Sequence, residues 1–197
     1  MKRSLIIGLV AAMAAGAALA QQPPAPAGQT PPASGRGGGR GGGIVFQPPV
    51  PGPSAALALE AVQKIVATCK ANGFNVAAVV VDSGGSMRAQ LTGDGTDPRA
   101  PDFGLRKAYT AAKLGMTPGE AAAKVRSDQA YAAEIAAKVA AEVAAGGQRL
   151  NVGNTGGLPI KVGDRVIGGI SASGAPQAAQ DDACAQAGLD AIKGRLN

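Results

Sequence analysis

Residues 75–91 read Asn75-Val76-Ala77-Ala78-Val79-Val80-Val81-Asp82, then Ser83-Gly84-Gly85-Ser86, then Met87-Arg88-Ala89-Gln90-Leu91. The first run is apolar and rich in β-branched residues, with no period of its own. Such a run suits a strand buried on both faces at the centre of a sheet. The Ser/Gly cluster is a turn, and the third run returns as a second strand, so the pair is antiparallel. A second hairpin is predicted downstream. Leu158-Pro159-Ile160-Lys161-Val162 and Arg165-Val166-Ile167-Gly168-Gly169-Ile170-Ser171 flank the two-residue turn Gly163-Asp164.

Helices are expected between and around these hairpins. Ser54 follows Pro53 as an N-cap, Ala58, Val62, Ile65 and Cys69 recur at helical spacing, and Asn72-Gly73 is a stop signal. Gly93–Pro101 is rich in turn residues, and Asp102 is expected to cap a helix running to about Leu114. Thr117-Pro118-Gly119-Glu120 is a capping box with Pro at the first helical position. The Ala-rich stretch that follows carries Ala132, Ile135, Val139 and Val143 on one stripe and ends at Gly146-Gly147, as one helix or as two broken near Ser127. A short strand is expected around Leu150-Val152, and a last helix from about Gln177 to Ile192. The order defines an α+β domain: one antiparallel sheet with helices packed on its faces.

Outward from that domain the chain changes character. Lys2 and Arg3, the apolar run from Leu5, and Ala18-Leu19-Ala20 before Gln21 form the pattern of a cleaved signal peptide over residues 1–20. The apolar run falls short of the ~20 residues that span a bilayer. The mature chain is therefore expected to be exported, periplasmic or secreted, with no membrane span. Residues 21–53 hold nine Pro and nine Gly and read as a flexible linker, leaving 54–197 as the domain.

Composition removes several chemistries. There is no His in the 197 residues, so a Ser-His-Asp triad, a His-ligated zinc and a proximal-His haem are all excluded. Two Cys cannot form a four-cysteine metal site, and no metal centre is expected. The formal charge of +6 shrinks from Ser54 onward to 15 Lys+Arg against 13 Asp+Glu. No basic patch with interleaved aromatics is present, which argues against nucleic acid as a partner.

Five segments in order carry a family resemblance. Val79-Val80-Val81-Asp82-Ser83-Gly84-Gly85 is similar to a V-V-D-x-x-G signature, and Arg106-Lys107-Ala108-Tyr109-Thr110-Ala111-Ala112 to K-A-x-T-A. Gly156-Gly157-Leu158-Pro159-Ile160 and Val166–Gly174 resemble the G-G-x-P-I and v-x-G-x-I-G-V-S-G signatures. Asp181-Asp182 with Ala187-Gly188 resembles a closing D-x-x-x-A-x-A-G. Together, over about residues 56–193, they resemble the GlcG/HbpS family of haem-binding proteins, also labelled a haem-degrading domain. Ala172 stands where that family usually has Val, and the loop from Gly93 to Pro101 diverges. The resemblance implies a profilin-like fold, homo-oligomers and association with haem or another tetrapyrrole.

A tetrapyrrole needs an apolar slot, cations for its propionates and, optionally, an axial ligand. Arg106, Tyr109 and Lys113 share one helical face and offer two cations and a phenol, which neighbouring cations would bias toward phenolate. Lys107, Thr110, Ala111 and Leu114 lie on another, and Thr110 is the position the resemblance carries over as haem-contacting. No catalytic residue is assigned. An enzyme of this fold, acting on haem or a small 2-hydroxy acid, would need groups such as Asp82, Asp94 and Lys107 to converge. A ligand-free oligomeric scaffold is the third alternative. Asp94, Asp97 and Asp102 fit no calcium-loop spacing, and Met87 and Met116 read as core filler. Export permits a Cys69–Cys184 disulfide if the first and last domain helices lie side by side, and two free buried thiols are the alternative.

Overall fold

The computed structural model describes residues 49–197. The expected signal peptide and residues 21–48 of the expected linker lie outside the described residues. At the centre is β1 (Ala77–Asp82), every residue of which is buried. Antiparallel neighbours flank it: β2 (Met87–Thr92) on one side and β4 (Arg165–Ser173) on the other, with β3 (Gly157–Val162) beyond β4. The sheet order is therefore β2-β1-β4-β3. Val162 pairs with Arg165 across the two-residue turn, as the hairpin reading requires.

Side chains of β1 alternate between two apolar layers. Ala78 and Val80, with Ile160, Ile170 and Ala172, face α1 (Ala55–Ala71) and α5 (Ala178–Ile192). Val79 and Val81 face Ala108 and Ala112 of α2 (Ala100–Leu114) on the other side. Burying each valine contributes roughly 1.5–3 kcal/mol. Contact of α2 with the sheet is direct: a Cβ at Gly157 would lie 2.6 Å from the Lys107 carbonyl oxygen. The same approach demands glycine at 169, where a Cβ would clash with the Ala108 carbonyl oxygen.

Helices α1 and α5 lie together on one face, and Cys69 and Cys184 are joined in a disulfide with Cα atoms 5.6 Å apart. Both cysteines are buried. Residues at the end of the expected linker are held against the domain: Pro53 is buried, and the Ser83 amide donates to the Pro51 carbonyl at 2.9 Å.

Several local expectations need correction. Asp102 does not cap α2. That helix starts at Ala100, because the Asp97 carbonyl accepts from the Ala100 amide and Pro101 occupies the first turn, where its missing N–H costs nothing. The Ala-rich stretch is two helices, α3 (Pro118–Ser127) and α4 (Gln129–Ala144). Asp128 breaks them with an extended backbone, and its carboxylate caps α4 at the Tyr131 amide. The α4 stripe is only partly buried: Tyr131 and Ile135 are covered, whereas Val143 is 52% exposed. No strand forms at Leu150-Val152, because the Asn151 amide is drawn to a side chain of α2 rather than to a ladder. Met87 is not core filler. It sits on the edge strand β2 and is 47% exposed. Met116 is half-buried and its sulfur accepts from the Tyr131 hydroxyl at 3.5 Å.

Candidate functional site

Helix geometry sorts the α2 residues. Gly104, Ala108, Ala111 and Ala112 pack inward, whereas Phe103, Arg106 and Lys113, at i, i+3 and i+10, keep part of their surface exposed as an outer stripe; Thr110, which spacing alone set on another face, falls between them at i+7 but is fully buried. The fold treats the two halves of this stripe differently. Over the first half, Phe103 is 39% exposed and the Arg106 guanidinium carbon lies 6.0 Å from its ring centroid. Arg106 is half-buried, and no carboxylate pairs with it among the described residues. Beside Phe103 lie Asp97 and Arg99 of the preceding loop and Ser173 and Gly174 at the end of β4.

The second half is covered by α4 and the chain that follows it. The Tyr109 hydroxyl donates to Glu142 Oε2 of α4. Lys113 Nζ lies 3.6 Å from the same carboxylate and 5.1 Å from the Tyr109 ring centroid. Burial first, and then the hydrogen bond to Glu142, push the Tyr109 phenol up to about 12. This reverses the expectation that cations would favour phenolate: the nearer carboxylate and the loss of water outweigh Lys113. Tyr109 is thus a neutral hydrogen-bond donor, 4% exposed, rather than an open anionic ligand.

Thr110 is fully buried, and its hydroxyl is used twice. Its Oγ1 donates to the Arg106 carbonyl at 2.7 Å and accepts from the Asn151 amide at 2.7 Å. In this arrangement no ligand reaches it. Lys107 also departs from its expected place. It is 5% exposed, and its Nζ donates to Asp181 Oδ2 at 2.7 Å and to the Ala172 carbonyl at 3.3 Å. Asp181 Oδ1 in turn accepts from the Ala175 amide at 3.0 Å. Lys107 therefore ties α2 to β4 and α5, with its ammonium buried against Asp181 rather than offered at the surface.

The candidate acid–base groups do not converge. Asp82 turns its carboxylate to the Ser86 amide at 2.9 Å, Lys107 is bound to Asp181, and Asp94 lies beyond the opposite end of β1 from Asp82. Asp97 is engaged by Arg99 at 2.9 Å, and the Arg99 contacts hold its carboxyl down at about 2. No group of three or more acidic or cysteine side chains placed to hold a metal ion occurs among the described residues. No helix among them is long and apolar enough to cross a membrane. The sequence reading missed Glu142, the partner of Tyr109, and Asn151, the cover of Thr110. Neither sits in a motif, and both act across long sequence separations.

The four-stranded antiparallel sheet and the helices on both faces define an α+β domain of profilin-like architecture. The chain belongs to the HbpS-like family of haem-degrading proteins, whose profile matches residues 54–190. A search of curated proteins finds no significant match. Among solved structures, HbpS is 24% identical, with a TM-score of 0.59 over 77% of this chain and 96% of that one. A double mutant of Streptomyces reticuli HbpS is 25% identical, with a TM-score of 0.58 over 86% and 99%. A PduOC:heme complex shares the fold at 17% identity, with a TM-score of 0.51 over 68% and 89%.

Proposed function

We propose that this chain is an exported haem- or tetrapyrrole-binding module, a buffer or sensor component, that binds without histidine ligation. Family membership supports the ligand class, and the PduOC:heme complex is a haem-bound example of the same fold. The observation that carries the site is the uncovered first half of the α2 stripe. There a half-buried guanidinium, without a carboxylate partner among the described residues, lies over an exposed aromatic ring. A planar macrocycle with carboxylate arms asks for that donor set: Phe103 for ring contact and Arg106 for a propionate. Haem would supply the redox-active iron, while this chain supplies the surface and the charge. The neutral, hydrogen-bonded Tyr109 supports a weakly ligated or unligated iron. Binding is favoured over catalysis because Asp82, Asp94 and Lys107 each serve a different place.

The reading includes a closed homo-oligomer, dimer or larger. It is supported by the exposed apolar face of α4, where Ala136, Val139, Ala140, Val143 and Ala144 line an open groove of about 650 Å³. Light scattering showing only monomer at tens of micromolar removes that part.

Hemin titration of the purified protein tests the ligand. The Soret band should move and saturate at micromolar or tighter affinity. Arg106→Ala and Phe103→Ala should each weaken binding about tenfold, the equivalent of one charge-assisted or aromatic contact. A Soret band identical to that of free hemin refutes the reading.

A further inference from the structure

We propose that the cavity at the corner between α1 and β2 binds a free α-amino acid with an aliphatic side chain. It lies on the α1 face of the sheet, opposite α2, and is independent of the haem reading.

The apolar layer under α1 is not sealed along one edge. β2 is the outermost strand there, and a cavity of about 220 Å³ remains where it meets the last turns of α1. Val66, Phe74, Val76 and Leu91, all members of that layer, supply its apolar lining. The volume is below the roughly 300–1,000 Å³ of sites for drug-sized ligands, which suits a small metabolite.

The walls are fixed on both elements. The Phe74 amide donates to the Cys69 carbonyl at 2.9 Å, and the Cys69–Cys184 disulfide pins that turn of α1 to α5. On the strand side, the Gly93 amide donates to the Val76 carbonyl at 3.0 Å, and the Gly93 carbonyl accepts from the Thr96 hydroxyl at 2.6 Å. A pocket already held in shape loses little entropy on binding.

Charge decides the ligand class. Lys70 and Asp94 both line the cavity, and neither forms an ion pair among the described residues. Asp97, by contrast, is held by Arg99, and Glu60 of α1 by Arg195. One cation and one anion beside an apolar floor call for a carboxylate, an ammonium and a hydrocarbon chain on one compact frame. A free aliphatic α-amino acid carries all three: its carboxylate goes to Lys70, its ammonium to Asp94 and its side chain to Val66 and Leu91. A simple carboxylic acid would meet Asp94 as a like charge, and a simple amine would meet Lys70 in the same way, so either is disfavoured.

Titration of the isotope-labelled purified protein with L-leucine, read by amide NMR, tests this. The amides of Lys70, Phe74, Gly93 and Asp94 should shift and saturate, with half-saturation at about 1 mM or below. The analogue 4-methylpentanoate lacks the ammonium, leucinamide lacks the carboxylate and glycine lacks the side chain; each should bind at least about fivefold more weakly. Lys70→Met and Asp94→Asn, both at exposed positions, should each weaken leucine binding about fivefold, the effect of one solvent-exposed charge contact. No saturating shift at these amides up to about 20 mM leucine overturns the proposal. Unchanged leucine affinity in either variant overturns it too, as does 4-methylpentanoate or leucinamide binding as tightly as leucine.

Discussion

Lys107→Met tests the assignment of Lys107 as a structural tie. The substitution keeps a long unbranched side chain but deletes the ammonium. Asp181 would retain its Ala175 amide contact, while its Oδ2 would lose the only partner it has in the structure. The side chains of the pair are 6% and 5% exposed, so water cannot readily replace the lysine. Removing one member of a buried ion pair typically costs 3–5 kcal/mol, because the remaining charge is left desolvated. That is a large share of the 5–15 kcal/mol that holds a domain folded. With a urea m-value of about 2 kcal/mol/M, the unfolding midpoint should fall by roughly 2 M. Lys107→Met combined with Asp181→Asn removes both charges, keeps an acceptor for the Ala175 amide and should recover most of the loss. At temperatures where Lys107→Met remains folded, hemin titration should match the parent protein, since Lys107 points away from the outer stripe. A midpoint shift below about 0.5 M, or lost hemin binding in a folded variant, would refute the reasoning.

Two further outcomes follow from the same geometry. Reducing Cys69–Cys184, which closes a separation of 115 residues, should lower stability by up to about 4–5 kcal/mol in the chain-entropy account. Unreduced denatured protein should show no titratable thiol and reduced protein two per chain; an unchanged unfolding midpoint after reduction contradicts the entropic argument. Tyr109, raised from the usual 10 to about 12, favours the folded state while neutral. Its pH-linked contribution, about 3 kcal/mol, is complete below pH 10 and lost as pH rises toward 12. Tyr109→Phe should therefore flatten the fall in stability between pH 10 and pH 12, and an unchanged alkaline profile would show that the Glu142 contact does not hold the phenol neutral.

What the sequence determined is local in origin. The apolar run of β1, the turn at Gly163-Asp164, the Ser54 cap and the Thr117 capping box each place chemistry within a few residues, so pattern alone specifies them. The ordered motifs carried the family in the same way, because each is a short stretch whose residue types can be read directly. Tertiary structure decided which side chains remain available. On α2, spacing alone left Thr110, Tyr109 and Lys107 looking as open as Arg106. Their partners lie at Asn151, Glu142 and Asp181, at separations of 41, 33 and 74 residues. Only the packing of α4 and α5 brings those partners in, and burial then converts three apparent ligands into a covered hydroxyl, a neutral phenol and a structural ion pair. No carboxylate among the described residues is brought to Arg106, and helical periodicity carries no information about what will lie across from a residue in space.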